Sequence, residues 1–183
     1  TLAEFPDRKG DTRGVLQADF LLPNGTVLTG FSVHFPAPFH PTAMRVAAYA
    51  HLNGLLRALP KSQAAFAAGD FNTTSREDAQ QNMLERFVRP HWSIAHDIGC
   101  GGCKGTQYYA RDDTWSFLDT ILFAAPRGGN TTAQLRAESV QIANRMPAQV
   151  STQNTPQRFN AAKLVGVSDH GPMIATIEVT HKQ

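Results

Sequence analysis

Three short polar clusters interrupt apolar stretches of this chain: Gly69-Asp70-Phe71-Asn72, Asp119 at the end of Trp115-Ser116-Phe117-Leu118-Asp119, and Ser168-Asp169-His170-Gly171-Pro172. A carboxylate inside an apolar strand costs on the order of several kcal/mol unless it is paired or metal-bound, so Asp70 and Asp119 both demand a partner. Asp70 and Asn72, two residues apart, can place their side chains on the same side of a strand-end loop. A carboxylate with an amide and water is a hard-oxygen donor set, suited to Mg²⁺ rather than zinc. Asp169-His170 adds an acid beside an imidazole. Each cluster also has a purely structural reading: an Asx-turn and helix cap for Asp70 and Asn72, backbone amides satisfying Asp119, a turn for His170. Their conjunction at three predicted strand ends, where layered α/β folds place their sites, favours chemistry.

The elements that must position these groups follow from pattern. Val15–Leu22 and Val27–Phe35 read as a hairpin about the Asn24-Gly25 turn. Pro41-Thr42 opens a helix reaching about Leu59, with Met44, Ala47, Ala48, Leu52, Leu55 and Leu56 at helical spacing and Pro60 beyond its end. The unbroken apolar run of residues 64–71 predicts a strand buried on both faces. Ser75, with Asp78 three residues on, predicts an N-cap and a helix to about Val88. Residues 89–114 read as loop, Trp115–Ala125 as a strand carrying Asp119, Leu135–Ala143 as a strand, Met146–Lys163 as a long polar loop, and Met173–Val179 as a last strand. The order β-β-α-β-α-β-β-β defines an α/β or α+β layered fold and leaves its topology open.

Composition sets bounds. A chain of 183 residues with 42% apolar content is one domain of ordinary size with a real core. No run approaches the roughly 18 apolar residues of a membrane span, and a formal charge of +2 does not by itself argue for nucleic acid. Charged residues make up 17%, below the roughly 25% of an average domain, a balance compatible with export. The chain starts at Thr1 with no visible signal segment, so any leader is expected to have been removed. Cys100-Gly101-Gly102-Cys103 admits a loop-stapling disulfide, a pair of reduced thiols or half a zinc site. The surrounding glycines argue against a thioredoxin-like helix opening, and His91 and His96 are poorly spaced for zinc. The disulfide is the preferred reading, and with it a secreted or periplasmic location. Tyr108, Tyr109 and Trp115 could line the mouth of a site or simply pack. Asn24, Asn72 and Asn130 match the glycosylation pattern, a frequent chance match.

The order of Ser32-Val33-His34, Gly69-Asp70-Phe71-Asn72, the Asp119 strand and Ser168-Asp169-His170-Gly171-Pro172 resembles the endonuclease/exonuclease/phosphatase superfamily, which includes deoxyribonuclease I-like nucleases, AP endonucleases, sphingomyelinases and inositol-phosphate phosphatases. The resemblance runs from about Arg13 to Val179. It implies a two-sheet α/β sandwich, a mixed sheet flanked by helices, and Mg²⁺- or Mn²⁺-assisted attack of water on a phosphate ester. By the same resemblance His170 is the general base or charge stabiliser, and Asp119 orients its imidazole. Asp70 positions or deprotonates the water, Asn72 bonds the phosphoryl oxygen, His34 protonates the leaving oxygen, and Asp169 ligates the metal. Arg13 matches loosely as a residue that helps hold the site.

The chain departs from the family at its front. The family's N-terminal half, with an Asn and the main metal-ligating Glu, has no counterpart here; Glu4 lies too close to the hairpin to replace it. Residues 1–183 therefore read as a single domain forming the C-terminal part of the family's fold. One apolar sheet face is then expected to be exposed, or covered by the missing half or by a second copy. Catalysis by the chain alone is expected to be weak or absent. The alternative is a non-catalytic binding module that keeps the fold. The substrate class, whether nucleic acid, lipid or small phosphoester, stays open.

Overall fold

The structure, a computed structural model, describes residues 2–3, 13–144 and 146–181; Thr1 and Glu4 of the sequence reading lie outside them. In chain order the elements are β1 (Leu2–Ala3), β2 (Val15–Leu21), β3 (Val27–His34), α1 (Thr42–Ala58), β4 (Ala64–Asp70), α2 (Ser75–Gln81), α3 (Met83–Phe87), β5 (Ser93–Ile94), α4 (Ala95–Ile98), β6 (Gln107–Tyr109), β7 (Thr114–Ser116), β8 (Asp119–Ala124), β9 (Thr131–Leu135), β10 (Gln141–Ile142), β11 (Met173–Ile174) and β12 (Ile177–His181). Strands β1-β2-β3-β4-β8-β5 form a six-stranded sheet in that order. Only the β3–β4 pair is parallel, joined by the crossover helix α1. The expected mixed sheet flanked by helices is what the chain forms.

One face of the sheet packs on the helices: Val15, Phe31, Val33, Ala65, Ala67 and Leu122 meet Ala48, Tyr49, Leu52 and Leu56 of α1 in the main core. The helix face differs from the one its apolar spacing predicts. Arg45, Tyr49 and Asn53 point inward while Ala47 is exposed. Each of these polar groups is satisfied. The Arg45 guanidinium binds Glu77 and loop carbonyls, the Tyr49 hydroxyl lies 3.0 Å from Thr73 Oγ1, and the Asn53 amide donates to Phe87 O while its oxygen accepts from Trp92 Nε1. Burial of polar side chains follows their partners, which spacing alone does not reveal.

The opposite face is covered in part. The antiparallel ribbons β9–β12 and β10–β11 bring Leu135, Val140, Met173 and Ile177 onto Ala64 and Phe123. Toward the β2 edge the same face exposes Leu16 at 53% and Phe20 at 47% of their surfaces.

Several boundaries differ from the sequence reading. The predicted strand 115–125 is two strands. β7 pairs with β6 in a separate ribbon and β8 joins the main sheet; between them the Phe117 ring stacks on His96 at 4.0 Å and Leu118 O accepts from Phe71 N–H. The predicted helix to Val88 is capped by Thr74 rather than Ser75, and breaks at Asn82, which adopts φ 52°, a left-handed conformation Asn tolerates. Residues 135–143 are not a strand: β9 ends at Leu135, and a 3₁₀ turn at Ala137–Ser139 leads to the short β10. The 89–114 loop contains β5, α4 and β6, and the last predicted strand is split into β11 and β12.

Candidate active site

Register builds the site. In the parallel β3–β4 pair His34 lies beside Asp70, and in the antiparallel β4–β8 pair Asp70 lies opposite Asp119. Alternation along a strand then sets all three side chains on the partly covered face of the sheet, in a row across three neighbouring strands. Gly69 lets β4 reach this point: its φ of +142° favours glycine, and a Cβ there would run into Val33 O.

His170 arrives from the far end of the chain. A bridge pairs it with Gln107, Gly171 N–H donates to Thr106 O at 2.7 Å, and its own N–H donates to Ser168 Oγ. Its imidazole Nδ1 lies 2.7 Å from Asp119 Oδ2. Ligand atoms of Asp70, Asp119 and His170 all lie within 4.8 Å of one another, and His34 Nε2 is 3.6 Å from Asp70 Oδ2. The three clusters that the sequence scatters over a hundred residues share one site.

Electrostatics follow from this crowding. Partial burial, and after it the like charge on Asp119, push the Asp70 carboxyl above its ordinary value, partly offset by the hydrogen bond from Asn72 N–H. The hydrogen bond to Asp119 raises His170, against a smaller opposing effect of burial, with the charges of Asp119, Asp70 and Asp169 adding to the rise. An imidazole whose proton is held more tightly, beside two carboxyl groups, offers partners to both a cation and an anionic oxygen.

The other predicted residues fall around this group. Asn72 is buried in a left-handed conformation; its backbone N–H closes an Asx-turn on Asp70 Oδ1, and its side-chain amide donates to Phe35 O at 2.9 Å. The turn and the site thus use the same carboxylate. Asp169 is exposed and stands outside the group of three. Arg13 is exposed, ahead of β2, whose register brings it to the His34 end of the sheet. Tyr109 lines an open cleft of about 830 Å³ together with Asn72 and His170, whereas Tyr108 and Trp115, with ring centroids 5.2 Å apart, line another beside Cys103. The sulfur atoms of Cys100 and Cys103 are at disulfide distance across a turn closed by Cys103 N–H to Cys100 O. The zinc alternative is not formed: His96 is engaged by Thr120 Oγ1 and Phe117, and among the described residues the metal-capable group is Asp70, Asp119 and His170.

One positioning residue escaped the sequence reading. Thr106 is fully buried; its Oγ1 accepts from Asp119 N–H at 3.0 Å, and its carbonyl holds Gly171, so it ties both partners of the Asp119–His170 pair. Nothing in the local sequence distinguishes it from any other small residue of a glycine-rich loop.

No protein-family model and no curated protein sequence matches the chain. Solved structures do. TDP2 from D. rerio, complexed with single strand DNA product, superposes with a TM-score of 0.67 at 14% identity over 97% of this chain and 66% of that one. An endonuclease/exonuclease/phosphatase from Bacteroides vulgatus gives 0.58 at 19% identity over 97% and 62%, and a family protein from Leptotrichia buccalis 0.55 at 19% over 91% and 53%. The chain has the endonuclease/exonuclease/phosphatase fold, the deoxyribonuclease I-like α/β type. It spans between 53% and 66% of the length of these structures.

Proposed function

We propose that this chain carries the site of a divalent-metal-dependent phosphoric-ester hydrolase in which water attacks a phosphodiester. The observation that supports it most is the convergence of Asp70, Asp119 and His170 within 4.8 Å, with His34 alongside. The carboxylates of Asp70 and Asp119 would suit a Mg²⁺ or Mn²⁺ ion, with exposed Asp169 as a further ligand from the solvent side. When bound, such an ion supplies Lewis-acid polarisation of a phosphoryl oxygen.

The residues divide the remaining tasks. His170 uses Nδ1 to hold Asp119, which leaves Nε2 as the atom that exchanges a proton with water or stabilises charge on the phosphate. Asp70 orients the attacking water. Asn72 commits one amide N–H to Phe35 O and has a second for a phosphoryl oxygen. His34 stands at the edge of the group, half-exposed, where a leaving oxygen can collect its proton. A nucleic-acid phosphodiester is the favoured substrate, since one protein of this fold is solved with single strand DNA product. The Leu16–Phe20 face belongs under a covering layer, either a preceding half of the fold or a second copy of the chain, which fits the partial span of the matched structures. A disulfide at Cys100–Cys103, and with it export to an oxidising compartment, completes the reading; a thiol titration of unreduced protein that finds two free thiols would refute it.

The test is hydrolysis of bis(p-nitrophenyl) phosphate and of a labelled oligonucleotide with Mg²⁺ or Mn²⁺ added, for the chain and for any longer natural form. His170→Ala and Asp70→Ala are each expected to lower kcat by roughly 10²–10⁴-fold, the worth of a positioned acid or base. Activity that survives both substitutions would falsify the assigned roles. Calorimetric binding of Mn²⁺ without turnover would instead leave the non-catalytic binding module.

A further inference from the structure

The cleft beside His170 has one wall of unusual construction. The loop joining β3 to α1 runs directly on from His34, and its tip, Phe39, leaves 84% of its surface exposed. Such exposure on a slack loop would carry little meaning, because scattered surface apolar residues are common. This loop is pinned. The buried Arg45 guanidinium donates to Pro36 O, Ala37 O and His40 O, and is itself fixed by both carboxylate oxygens of Glu77. His40 N–H closes a turn on Ala37 O, and the His40 ring backs the Phe39 ring at a centroid distance of 4.3 Å. A buried, paired cation thus holds the loop that presents the exposed phenyl ring, backed by His40, to the cleft.

The same cleft is lined by Tyr109, 46% exposed, by Arg111, by Arg76 paired with Asp112 at 3.0 Å, and by Asn72 and His170. Two exposed rings, Phe39 and Tyr109, and two guanidinium groups, one of them paired with Asp112, suit a polyanion whose planar groups are free to stack. A base paired inside a duplex has no free face. An acyl chain would meet cations and amides where it needs apolar surface. We propose that Phe39 is a specificity-determining residue: it stacks an unpaired nucleobase next to the scissile phosphate, so that the site selects single-stranded over double-stranded nucleic acid. This rests on the phosphodiesterase reading of the adjoining group, and deepens it.

The test is fluorescence anisotropy of the full 183-residue chain with a labelled ten-nucleotide oligo(dT), a duplex of equal length, and vesicles of phosphatidylcholine with phosphatidylglycerol, all in EDTA so that no cleavage intervenes. The expected result is tighter binding of oligo(dT) than of duplex, weakened roughly 5- to 100-fold by Phe39→Ala, the effect of losing one base–aromatic stack, and retained in Phe39→Trp. Because Phe39 is exposed, Phe39→Ala is expected to keep the circular dichroism and melting curve of the parent. Equal oligo(dT) affinity for parent and Phe39→Ala overturns the proposal. So does Phe39-dependent binding of vesicles with oligo(dT) unaffected, which would make the loop a lipid contact. Failure of the hydrolysis assay with a Phe39 effect intact would sink the enzymatic reading alone.

Discussion

The close approach of Asp70 and Asp119 carries a cost that depends on pH. With its carboxyl raised by burial and by Asp119, Asp70 binds its proton more tightly in the folded state than in the unfolded one. Its contribution is therefore fully present below the ordinary carboxylate value of 3.8 and is lost as pH rises through the raised value. His170, also raised, adds stability that is complete below 6.5 and disappears as pH climbs through its higher folded value. The metal-free protein should thus lose stability as pH rises into the neutral range. Asp70→Asn keeps an oxygen for the Asn72 turn and removes the repulsion, so it is expected to raise the melting temperature of the metal-free protein at pH 7 by roughly 2–4 °C, the shift about 1 kcal/mol produces in a chain of this size. Differential scanning fluorimetry at pH 4 and pH 7, with and without Mn²⁺, checks it. Mn²⁺ should stabilise the parent at pH 7, and should do so far less at pH 4 or in Asp70→Asn.

Among the elements, sequence pattern was a good guide wherever one environment covers one stretch of chain. The Asn24-Gly25 hairpin, the buried strand before Asp70 and the helix ending ahead of Pro60 all stand within a residue or two of where pattern puts them. It failed where a stretch changes partners. Trp115–Ala125 is mostly apolar, yet part of it belongs to a ribbon and part to the main sheet, with buried Thr106 holding Ser116 and Asp119 at the two ends of the change. It also failed where polar groups are buried as partners, as with Arg45 and Glu77, which are 32 residues apart in sequence and belong to different helices. For the site, Asp70, Asp119 and His170 were legible as strand-end groups that invite a partner and His34 through the family resemblance, while Thr106 was not, since its work is done by a hydroxyl and a carbonyl that any loop threonine owns. Glu77→Ala leaves Arg45 buried and unpaired, and is expected to cost about 3–5 kcal/mol, read as a lower urea midpoint with the slope unchanged. It should also weaken oligo(dT) binding by loosening the Phe39 loop. Loss of less than about 1 kcal/mol would show that the pair does not hold the helices together.

At the scale of the molecule, two unequal cores share one sheet. The helical side is closed, whereas the ribbon side covers only part of its face and leaves Leu16 and Phe20 open near the β2 edge. Apolar surface on a strand near a sheet edge promotes association. The isolated chain is expected to self-associate in sizing columns coupled to light scattering, and Phe20→Glu to reduce that association without lowering its helix and strand content. A monodisperse monomer at high concentration would argue that the face needs no cover. No helix among the described residues is long and apolar enough to cross a membrane.

The pairing of Asp70 with Asp119 across two central strands carries one more consequence. Side chains alternate between faces, so a slip of a single position between these strands would turn one acid toward the packed helical side and put a neighbour such as Leu118 or Thr120 in its place. Chains that misalign are thereby penalised by a stranded charge, and those that align bring the acids beside His170 in the same act. Correct strand register and assembly of the Asp70, Asp119 and His170 group are consequently selected together.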